Sequence, residues 1–438
     1  MVRISGPDAR RIGEAVTGRA LRARRAIYAG FAAADGQPVD AGIALYFPAP
    51  ASFTGEHVVE LQGHGGPVVM HMLLEAALGR GARLARPGEF TERAFHNGKL
   101  DLAQAEAVAD LISSASSAAA RGALRSLQGD FSAAVNALDQ SVLALRVFVE
   151  AAMDFPEEEV DFLSEGQVGE RLERIHRAFS ELTASSQQGI LLRDGITIAL
   201  VGEPNVGKSS LLNALSGEER AIVTEIPGTT RDLIRADLSI DGMPVQVVDT
   251  AGLRDTSDRV ELEGVRRARE QASRADLVLL VVDDRNAEAP SANSLLDQLL
   301  AAPLGVEPRR ILRVRNKADL TGRPVGLVAG DGEPALAGEV RLSAVTAAGI
   351  DSLRELIKQC VGYAAEGAAF TARRRHLLAL EEGRQALERA EALLAEGIPG
   401  ELIAEELRAV HRALGSIVGE VTADDLLGEI FATFCIGK

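Results

Sequence analysis

The sequence predicts a multidomain α/β + α protein: a small α+β domain, an all-helical domain, and a P-loop α/β domain with a mainly parallel sheet inserted into the helical part. Three observations predict this class. Strand-like and helical runs alternate between residues 191 and 364, which is typical of a parallel sheet covered by helices. Alanine-rich helical patterns lie on both sides of that stretch, and short β-type runs precede them. A chain of 438 residues accommodates several such domains.

The first domain is predicted to span residues 1–97. Short β-type runs bounded by Gly, Pro or Asp occur at Ile27–Phe31, Ile43–Phe47 and Val58–Leu61. The Gly-rich turn at Gly63–Pro67 then opens a helical run. Strands followed by a helix indicate a compact α+β unit.

Two helical segments, residues 98–190 and 365–438, are predicted to pack together around the inserted domain at 191–364. One helical face of the first segment, at spacing i, i+3, i+4 and i+7, consists of Val108, Leu111, Ile112 and Ala115. The matching face of the second segment consists of Ile403, Leu407, Val410 and Leu414.

Composition indicates a soluble cytoplasmic protein. Apolar residues make up 46% and charged residues 25%, which is ordinary for a globular chain. The two cysteines, Cys360 and Cys435, lie far apart, which favours a reducing compartment. No run approaches the ~18 apolar residues of a membrane span, and the first residues lack the apolar core of a secretory signal. No membrane association is therefore expected.

The net charge of −16 argues against a protein that coats nucleic acid nonspecifically. An acidic chain can still bind RNA through a local patch or a partner. The basic clusters are Arg22, Arg24 and Arg25, and the run Arg373–His376. Their simplest interpretation is a solvated charged face.

A phosphate-binding loop follows the first strand of the inserted domain. The run Gly202–Ser209 matches G-x-x-x-x-G-K-[ST], with a strand before it and a helix after it. Its glycines let the backbone close around phosphates, and the N–H groups of the helix N-terminus face the anion. Lys208 is expected to reach the β- and γ-phosphates, and Ser209 to ligate Mg²⁺. The expected nucleotide contacts of this loop are Asn205, Val206, Gly207, Lys208, Ser209 and Ser210.

Further motifs follow in the order typical of a Ras-like GTPase domain. Asp249 and Gly252 form a D-x-x-G sequence after an apolar strand, suited to the Mg²⁺ shell and to sensing the γ-phosphate. The run Asn316–Asp319 matches N-K-x-D, whose carboxylate accepts hydrogen bonds from guanine N1 and N2. Adenine cannot supply these two hydrogen bonds and leaves the carboxylate unsatisfied, so such sites bind guanine much more tightly than adenine. The base-contacting residues are expected to be Asn316, Lys317, Asp319, Ser343 and Ala344. These motifs predict a protein that binds GTP and GDP and hydrolyses GTP.

The residues that promote hydrolysis are less evident from the sequence. Thr230, in the loop between the P-loop and D-x-x-G, is expected to complete Mg²⁺ coordination. Leu253 stands where Ras-like proteins carry a water-orienting glutamine, and leucine cannot form hydrogen bonds. The polar alternatives nearby are Arg231, Arg254, Asp255, Asp258, Glu261 and Glu263, and the motif pattern alone leaves the choice among them open.

Several longer segments are distributed over essentially the whole chain: GEPNVGKSSLLNAL, IPGTTRD, DTAGLRDTSDRVE, NKAD, ELQGHGG, RPGEFTERAFHNGKLDLAQAEA and the terminal FCIGK. Together they resemble the MnmE (TrmE) family of tRNA-modification GTPases. The resemblance implies a GTPase that acts with the flavoprotein MnmG (GidA), in a heterotetramer or larger complex, on C5 of the wobble uridine (U34) of tRNA. The added group is of the carboxymethylaminomethyl or aminomethyl type. A homodimer is also implied.

The resemblance further implies potassium activation. Asn205 would coordinate K⁺ together with Thr224, Ile226 and Thr229, and the ion would take the place of an arginine finger. Glu261 matches the family's water-orienting glutamate. Arg231 and Arg254 match arginines that stabilise the switch regions.

A tetrahydrofolate derivative, 5-formyl or 5,10-methylene, is the implied one-carbon donor. The matching residues are Arg3, Glu60, Lys99 and Lys438. Cys435 matches the family's terminal cysteine, which is linked to the modification chemistry. Relatives usually carry a further Gly-rich segment ahead of the part that matches Arg3, so a start at Met1 is expected to be misassigned or truncated.

Two other classes compete with this interpretation. A ribosome-assembly GTPase of the Era or EngA type shares the PGTTRD loop, but it would carry a basic KH-type module with a GxxG loop, which is not evident. A membrane-assembling scaffold GTPase would need a basic or amphipathic membrane segment, which is also not evident.

Overall fold

The computed structural model describes residues 1–154, 167–217, 234–249, 270–288, 290–301, 305–328, 336–364, 370–396, 400–420, 427 and 430–431. The chain divides into two compact units. The first comprises Met1–Ile112, Ser126–Phe179 and Leu378–Lys438, and the second comprises Ser113–Arg125 and Ser180–Leu377.

The described residues form the following strands and helices, in chain order. The strands are β1 (Val2–Ser5), β2 (Ile27–Ala32), β3 (Pro38–Phe47), β4 (Val58–Gln62), β5 (Ile196–Val201), β6 (Ile234–Ile240), β7 (Met243–Asp249), β8 (Leu277–Asp283), β9 (Ile311–Asn316), β10 (Gly326–Leu327) and β11 (Gly338–Arg341). The helices are α1 (Ala9–Thr17), α2 (Pro67–Leu78), α3 (Glu89–His96), α4 (Leu102–Ser113), α5 (Ser117–Gln128), α6 (Asp130–Asp154), α7 (Gln167–Asp194), α8 (Lys208–Ser216), α9 (Pro290–Leu300), α10 (Ile350–Val361), α11 (Arg374–Ala395) and α12 (Gly400–Val418).

An antiparallel sheet of four strands, in the order β1-β4-β3-β2, forms the N-terminal part of the first unit. One face of the sheet is covered by α1 and α2, and its core contains Phe31, Leu61 and Leu73. The predicted strands are confirmed, but β3 begins at Pro38, five residues before the predicted start, and β2 and β4 each end one residue later. The sequence prediction missed β1, because a strand of four residues carries little periodic signal, and it also missed the nine-residue helix α1.

Long helices complete the first unit. On α6 the fully or nearly fully buried residues recur every three or four positions, which places them on one helical face. They are Phe131, Val135, Leu138, Val142, Leu145 and Val149. The predicted face on α12, formed by Ile403, Leu407, Val410 and Leu414, is confirmed, since all four residues are buried.

Polar contacts join α6 to α12 as well. His411 Nδ1 lies 2.6 Å from Asp139 Oδ1, and Arg408 donates to Glu150 Oε1 at 3.0 Å. Among the described helices, residues 130–151 alone are long and apolar enough to cross a membrane by length and composition. Their apolar stripe and these charged contacts are those of a bundle helix.

The apolar face predicted on α4 is not its buried face. Val108 and Leu111 are half-buried, Ile112 is exposed, and Ala115 lies beyond the helix, which ends at Ser113. The buried residues are instead Leu102, Ala103, Ala105, Glu106, Ala107 and Asp110. Small alanines and two carboxylates occupy this face, so a search for large apolar residues selects the opposite side of the helix.

The second unit contains a sheet of seven strands in the order β10-β11-β9-β8-β5-β7-β6. Its central neighbours β11, β9, β8, β5 and β7 pair in parallel, and β10 and β6 pair antiparallel at the two edges. Strand β8 is buried along its whole length. Apolar cores lie on both faces of the sheet. The predicted mainly parallel sheet is therefore confirmed.

Candidate nucleotide-binding site

The loop between β5 and α8 has a backbone that few side chains permit. Asn205 and Gly207 have φ angles of 63° and 97°. A Cβ on Gly202 would lie 2.4 Å from the carbonyl oxygen of Val281, and one on Gly207 would lie 2.3 Å from Asn316 Nδ2. Glycine is therefore required at both positions because neighbouring atoms leave no room for a Cβ. At Gly207 the left-handed φ favours glycine as well.

Lys208 lies inside this loop at the start of α8. It is 7% exposed, and its Nζ donates to the carbonyl oxygens of Gly202 at 2.6 Å and Glu203 at 2.9 Å. The ammonium group is thus held where the loop encloses it. Ser209 and Ser210 are exposed in the first turn of α8, where backbone N–H groups lack helical acceptors. This combination of cation, hydroxyl and N–H groups suits a phosphate chain with its metal ion.

Asn316, at the end of β9, joins the phosphate loop to the loop after β11. Its Nδ2 donates to Val206 O at 2.9 Å, and its Oδ1 accepts from the Ala344 N–H at 3.0 Å. The side chain is 2% exposed. One buried amide therefore fixes the distance between the loop predicted to hold phosphates and the loop predicted to hold the base.

The predicted base-binding residues lie together at the same edge of the sheet. Ser343 Oγ donates to Asp319 Oδ1 at 2.6 Å and accepts from the Thr346 N–H at 3.3 Å. Ser343 is buried, whereas Asp319 is exposed. The carboxylate is therefore oriented from below by a buried hydroxyl and presented at the surface.

Lys317 is positioned by a carboxylate that no sequence motif singled out. Its Nζ donates to Asp283 Oδ2 at 2.8 Å, and its φ of 70° is left-handed. Arg285 donates to both oxygens of Asp283, and these hydrogen bonds, together with Lys317, hold the pKa of Asp283 well below its usual range. The carboxylate at the end of β8 thus remains charged and holds Lys317 beside the residues predicted to bind the base.

Asp284 is a second carboxylate that sequence reasoning missed. It is 1% exposed and accepts from Thr321 Oγ1 at 2.6 Å and from Arg341 Nε at 2.8 Å. Thr321 follows the N-K-x-D turn, and Arg341 ends β11 just before Ser343. The available signal was a pair of carboxylates at the carboxyl end of a fully apolar strand, the edge where open α/β sheets bind ligands.

Several predicted site residues lie outside the described part of the chain. They are Thr224, Ile226, Thr229, Thr230, Arg231, Gly252, Arg254, Glu261, Cys435 and Lys438. Asp249 is described only by its backbone, which ends β7 and pairs with Leu200 of β5. That register places Asp249 next to the strand that leads into the phosphate loop. The roles of these residues stay predictions.

Two of the residues expected to contact folate pair directly in the N-terminal sheet. Arg3 Nε and Nη2 both donate to Glu60 Oε1, at 2.9 and 2.7 Å. The Arg3 guanidinium also lies 5.9 Å from the ring centroids of Phe53 and Phe90. Lys99 is exposed. The pairing leaves Glu60 Oε2 and the aromatic faces around Arg3 as groups that could contact a ligand.

Family models match both parts of the chain. Residues 1–99 match the N-terminus of the GTP-binding protein TrmE, and residues 102–435 match the MnmE helical domain. The chain belongs to the MnmE family of tRNA modification GTPases. The predicted resemblance is thereby confirmed, and so is the prediction of a GTPase enzyme.

Curated members of the MnmE family match over the full length. The tRNA modification GTPase MnmE of Pseudomonas aeruginosa (strain UCBPP-PA14) is 54% identical over 440 residues, covering 100% of this chain and 95% of the relative. The protein of the same name from Pseudomonas savastanoi pv. phaseolicola is 53% identical over 442 residues, with the same coverage. Among solved structures, the G domain of the T. maritima FeoB iron transporter is 26% identical, with a TM-score of 0.28, and covers 38% of this chain and 98% of its own.

Proposed function

We propose that this chain hydrolyses GTP as one component of a complex that modifies C5 of the wobble uridine (U34) of tRNA. The hydrogen bonds of Asn316 support the first part of the proposal, that the chain binds and hydrolyses GTP. They join the phosphate loop to the base edge through one buried side chain that contacts both. The names of the full-length relatives, tRNA modification GTPases, support the second part, that the chain acts in tRNA modification.

The described residues suggest how the nucleotide is held. Lys208 would exchange its carbonyl acceptors for the β- and γ-phosphates, and Ser209 would ligate Mg²⁺ together with Thr230 and Asp249. Asp319 would accept hydrogen bonds from guanine N1 and N2, because Ser343 already orients its carboxylate. Mg²⁺, when bound, offsets the negative charge of the phosphates.

Hydrolysis is proposed to depend on K⁺ and on Glu261. Asn205 is exposed in the phosphate loop, so its amide oxygen is accessible to a cation and would supply the first ligand of the K⁺ site. Thr224, Ile226 and Thr229 would supply the remaining oxygens. Glu261 would orient the attacking water in place of the glutamine that Leu253 replaces, and Arg231 and Arg254 would stabilise the surrounding switch regions.

A tetrahydrofolate derivative, 5-formyl or 5,10-methylene, is proposed as the one-carbon donor at the N-terminal sheet. The Arg3–Glu60 pair fits this group, because a half-buried carboxylate with one oxygen not engaged by Arg3 suits pterin N–H groups. The rings of Phe53 and Phe90 suit a planar heterocycle. Lys99 and Lys438 would bind the carboxylates of the glutamate tail.

The proposed assembly is a homodimer that joins the flavoprotein MnmG in a heterotetramer or larger complex in the cytoplasm. Cys435, in the terminal Phe434–Lys438 run, would act in the modification chemistry rather than in GTP turnover. An Era- or EngA-type assembly factor is not favoured, since the family models account for both the N-terminal and the helical domains.

Analysis of tRNA nucleosides by mass spectrometry tests the proposal. The host lacks its own family member and carries this gene with a matched MnmG. We expect C5-aminomethyl-type uridines to reappear with the wild-type gene and to stay absent with Lys208→Ala, which removes the phosphate-binding ammonium. Absence of these nucleosides with the wild-type gene, while the purified protein hydrolyses GTP, would contradict the proposal.

A further inference from the structure

Four exposed arginines lie in the segment between α1 and β2. They are Arg19, Arg22, Arg24 and Arg25, and the segment 19–25 is called the arginine loop below. Residues 1–26 contain seven arginines and two carboxylates, an excess of five positive charges in a chain whose net charge is −16. The arginine loop is therefore a local reversal of the charge of the whole molecule.

The guanidinium groups of the arginine loop have no carboxylate partner among the described residues. Within that part of the chain, their side chains make a single hydrogen bond, from Arg24 Nη2 to the carbonyl oxygen of Ala51 at 2.6 Å. Neighbouring exposed arginines differ, since Arg10 pairs with Glu14 at 2.9 Å and Arg11 with Asp8 at 3.1 Å. Guanidinium groups that are not paired with carboxylates can attract anions from solution.

The other basic run of the sequence does not form such a surface. His376 and the adjoining Thr371 are buried, and the Arg373 N–H donates to His376 Nδ1 at 3.1 Å. Both Arg373 and Arg375 are half-buried and have partners within the protein. The structure thus separates two clusters that look alike in sequence.

The backbone of the arginine loop is fixed by contacts of two of its residues, Leu21 and Arg24. Leu21 is buried in the sheet core at 1% exposure, and its N–H donates to Glu14 Oε1 at 2.9 Å. The Arg24 N–H donates to Tyr46 O at 2.8 Å, and Arg24 has a left-handed φ of 56°. A fixed backbone lowers the entropy lost when the arginines bind a partner.

We infer that the arginine loop is a phosphate-binding surface whose partner is the sugar–phosphate backbone of tRNA. The inference rests on the proposed function, which supplies tRNA as the nucleic acid. All four cations are arginines, whose planar guanidinium groups bind phosphate oxygens in pairs. A lipid surface fits less well, because the exposed residues between the arginines are alanines, which offer little apolar area for insertion.

Binding of fluorescently labelled tRNA to the full chain, followed by anisotropy over a range of salt concentrations, tests this inference. The double variant Arg22→Ala/Arg25→Ala removes two cations whose side chains make no hydrogen bond or ion pair with the described residues. We expect its affinity to fall by about tenfold and the slope of log K against log salt to become shallower by about two, one for each contact. GTP turnover should stay unchanged.

The matched control is Arg389→Ala/Arg412→Ala, which removes the same formal charge from exposed positions. There Arg389 faces Glu406 at 2.9 Å and Arg412 faces Glu405 at 3.5 Å. We expect less than about a twofold change in affinity for this control. Equal losses in the two double variants would overturn the inference, as would wild-type protein that binds vesicles containing anionic lipid but not tRNA. If the tRNA affinity of Arg22→Ala/Arg25→Ala equals that of the wild type while the wild-type gene restores modified nucleosides in cells, the arginine loop is not the tRNA-binding surface, and the proposed function stands.

Discussion

Asn316 shows how one side chain can join two loops of a predicted nucleotide site. Its amide donates to the loop predicted to hold phosphates and accepts from the loop predicted to hold the base. A carboxylate at this position could accept but not donate, and alanine could do neither. The two hydrogen bonds by themselves require an amide at this position, whether or not the side chain also contacts the nucleotide.

At the same scale, Glu261 is predicted to be the residue that orients water for hydrolysis. Replacing Glu261 by Ala should lower kcat for GTP by about 10²–10³ with little change in KM, since the side chain would act on water and not on the bound nucleotide. Steady-state GTP turnover measures both constants. The comparison is Glu263→Ala, at the other glutamate among the candidates. An equal fall in both variants would show that Glu261 has no distinct role in hydrolysis, and a raised KM with unchanged kcat would assign it to nucleotide binding instead.

At the scale of elements, the site is built where parallel strands end. Strands β5, β8, β9 and β11 each lead into one of its loops, and buried polar side chains tie these loops to one another. Strand β8 lies next to β5 in the sheet, although β6 and β7 lie between them in the chain. The order of the strands in the sheet therefore determines which loops come together at the site.

Asp284 provides a test of this arrangement. Its carboxylate connects the loop after the N-K-x-D turn to the end of β11. Asp284→Ala leaves two half-buried donors without their carboxylate acceptor, so guanine nucleotide should dissociate about tenfold faster. Stopped-flow release of a fluorescent GDP analogue measures the rate. Asp351→Ala, on an exposed carboxylate of the same domain, serves as the control. Unchanged release from Asp284→Ala would show that the two loops hold their positions independently.

Glu89, in the N-terminal part of the first unit, is predicted to make stability depend on pH. Hydrogen bonds from Arg83, the Arg86 N–H and Arg93 lower the pKa of Glu89 from its ordinary 4.5 to about 2. Because the folded value is the lower one, the carboxylate stabilises the fold fully above about pH 4.5, and this contribution disappears as the pH falls towards 2. Urea unfolding of wild type and Glu89→Gln should differ at pH 6 and converge at the acid end. A difference that stays constant over that range would contradict the assignment.

Elements whose signal is local could be predicted from the sequence. The apolar strands that precede Gly202 and Asn316 were predicted because each is bounded by a motif with its own chemistry. Prediction failed where the determining contacts come from distant segments. Asp284 forms hydrogen bonds with Thr321 and Arg341, 37 and 57 residues later, and no periodic pattern in the sequence predicts such contacts. The buried face of α4 was missed because Ala105 is too small to mark a core position and Glu106 is of a type that is usually exposed.

At the scale of the whole molecule, the proposed K⁺ dependence can be measured directly. GTP turnover should be at least about tenfold faster in K⁺ than in Na⁺ at equal ionic strength, since the ion would act in place of an arginine finger. Asn205→Gly keeps the left-handed backbone but removes the amide oxygen, so the two salts should then give similar rates. Persistence of the K⁺ preference in this variant would place the ion elsewhere.

The nucleotide preference of Asp319→Asn tests the guanine site most directly. In the wild type the Asp319 carboxylate, oriented by Ser343, is expected to select guanine through its N1 and N2 hydrogens. An amide can instead donate to the oxygen that xanthine carries at position 2. In equilibrium binding, the wild type should therefore prefer GDP to xanthosine diphosphate (XDP), and Asp319→Asn should prefer XDP to GDP. A variant that keeps its preference for GDP would contradict the assignment of this edge of the sheet as the guanine site.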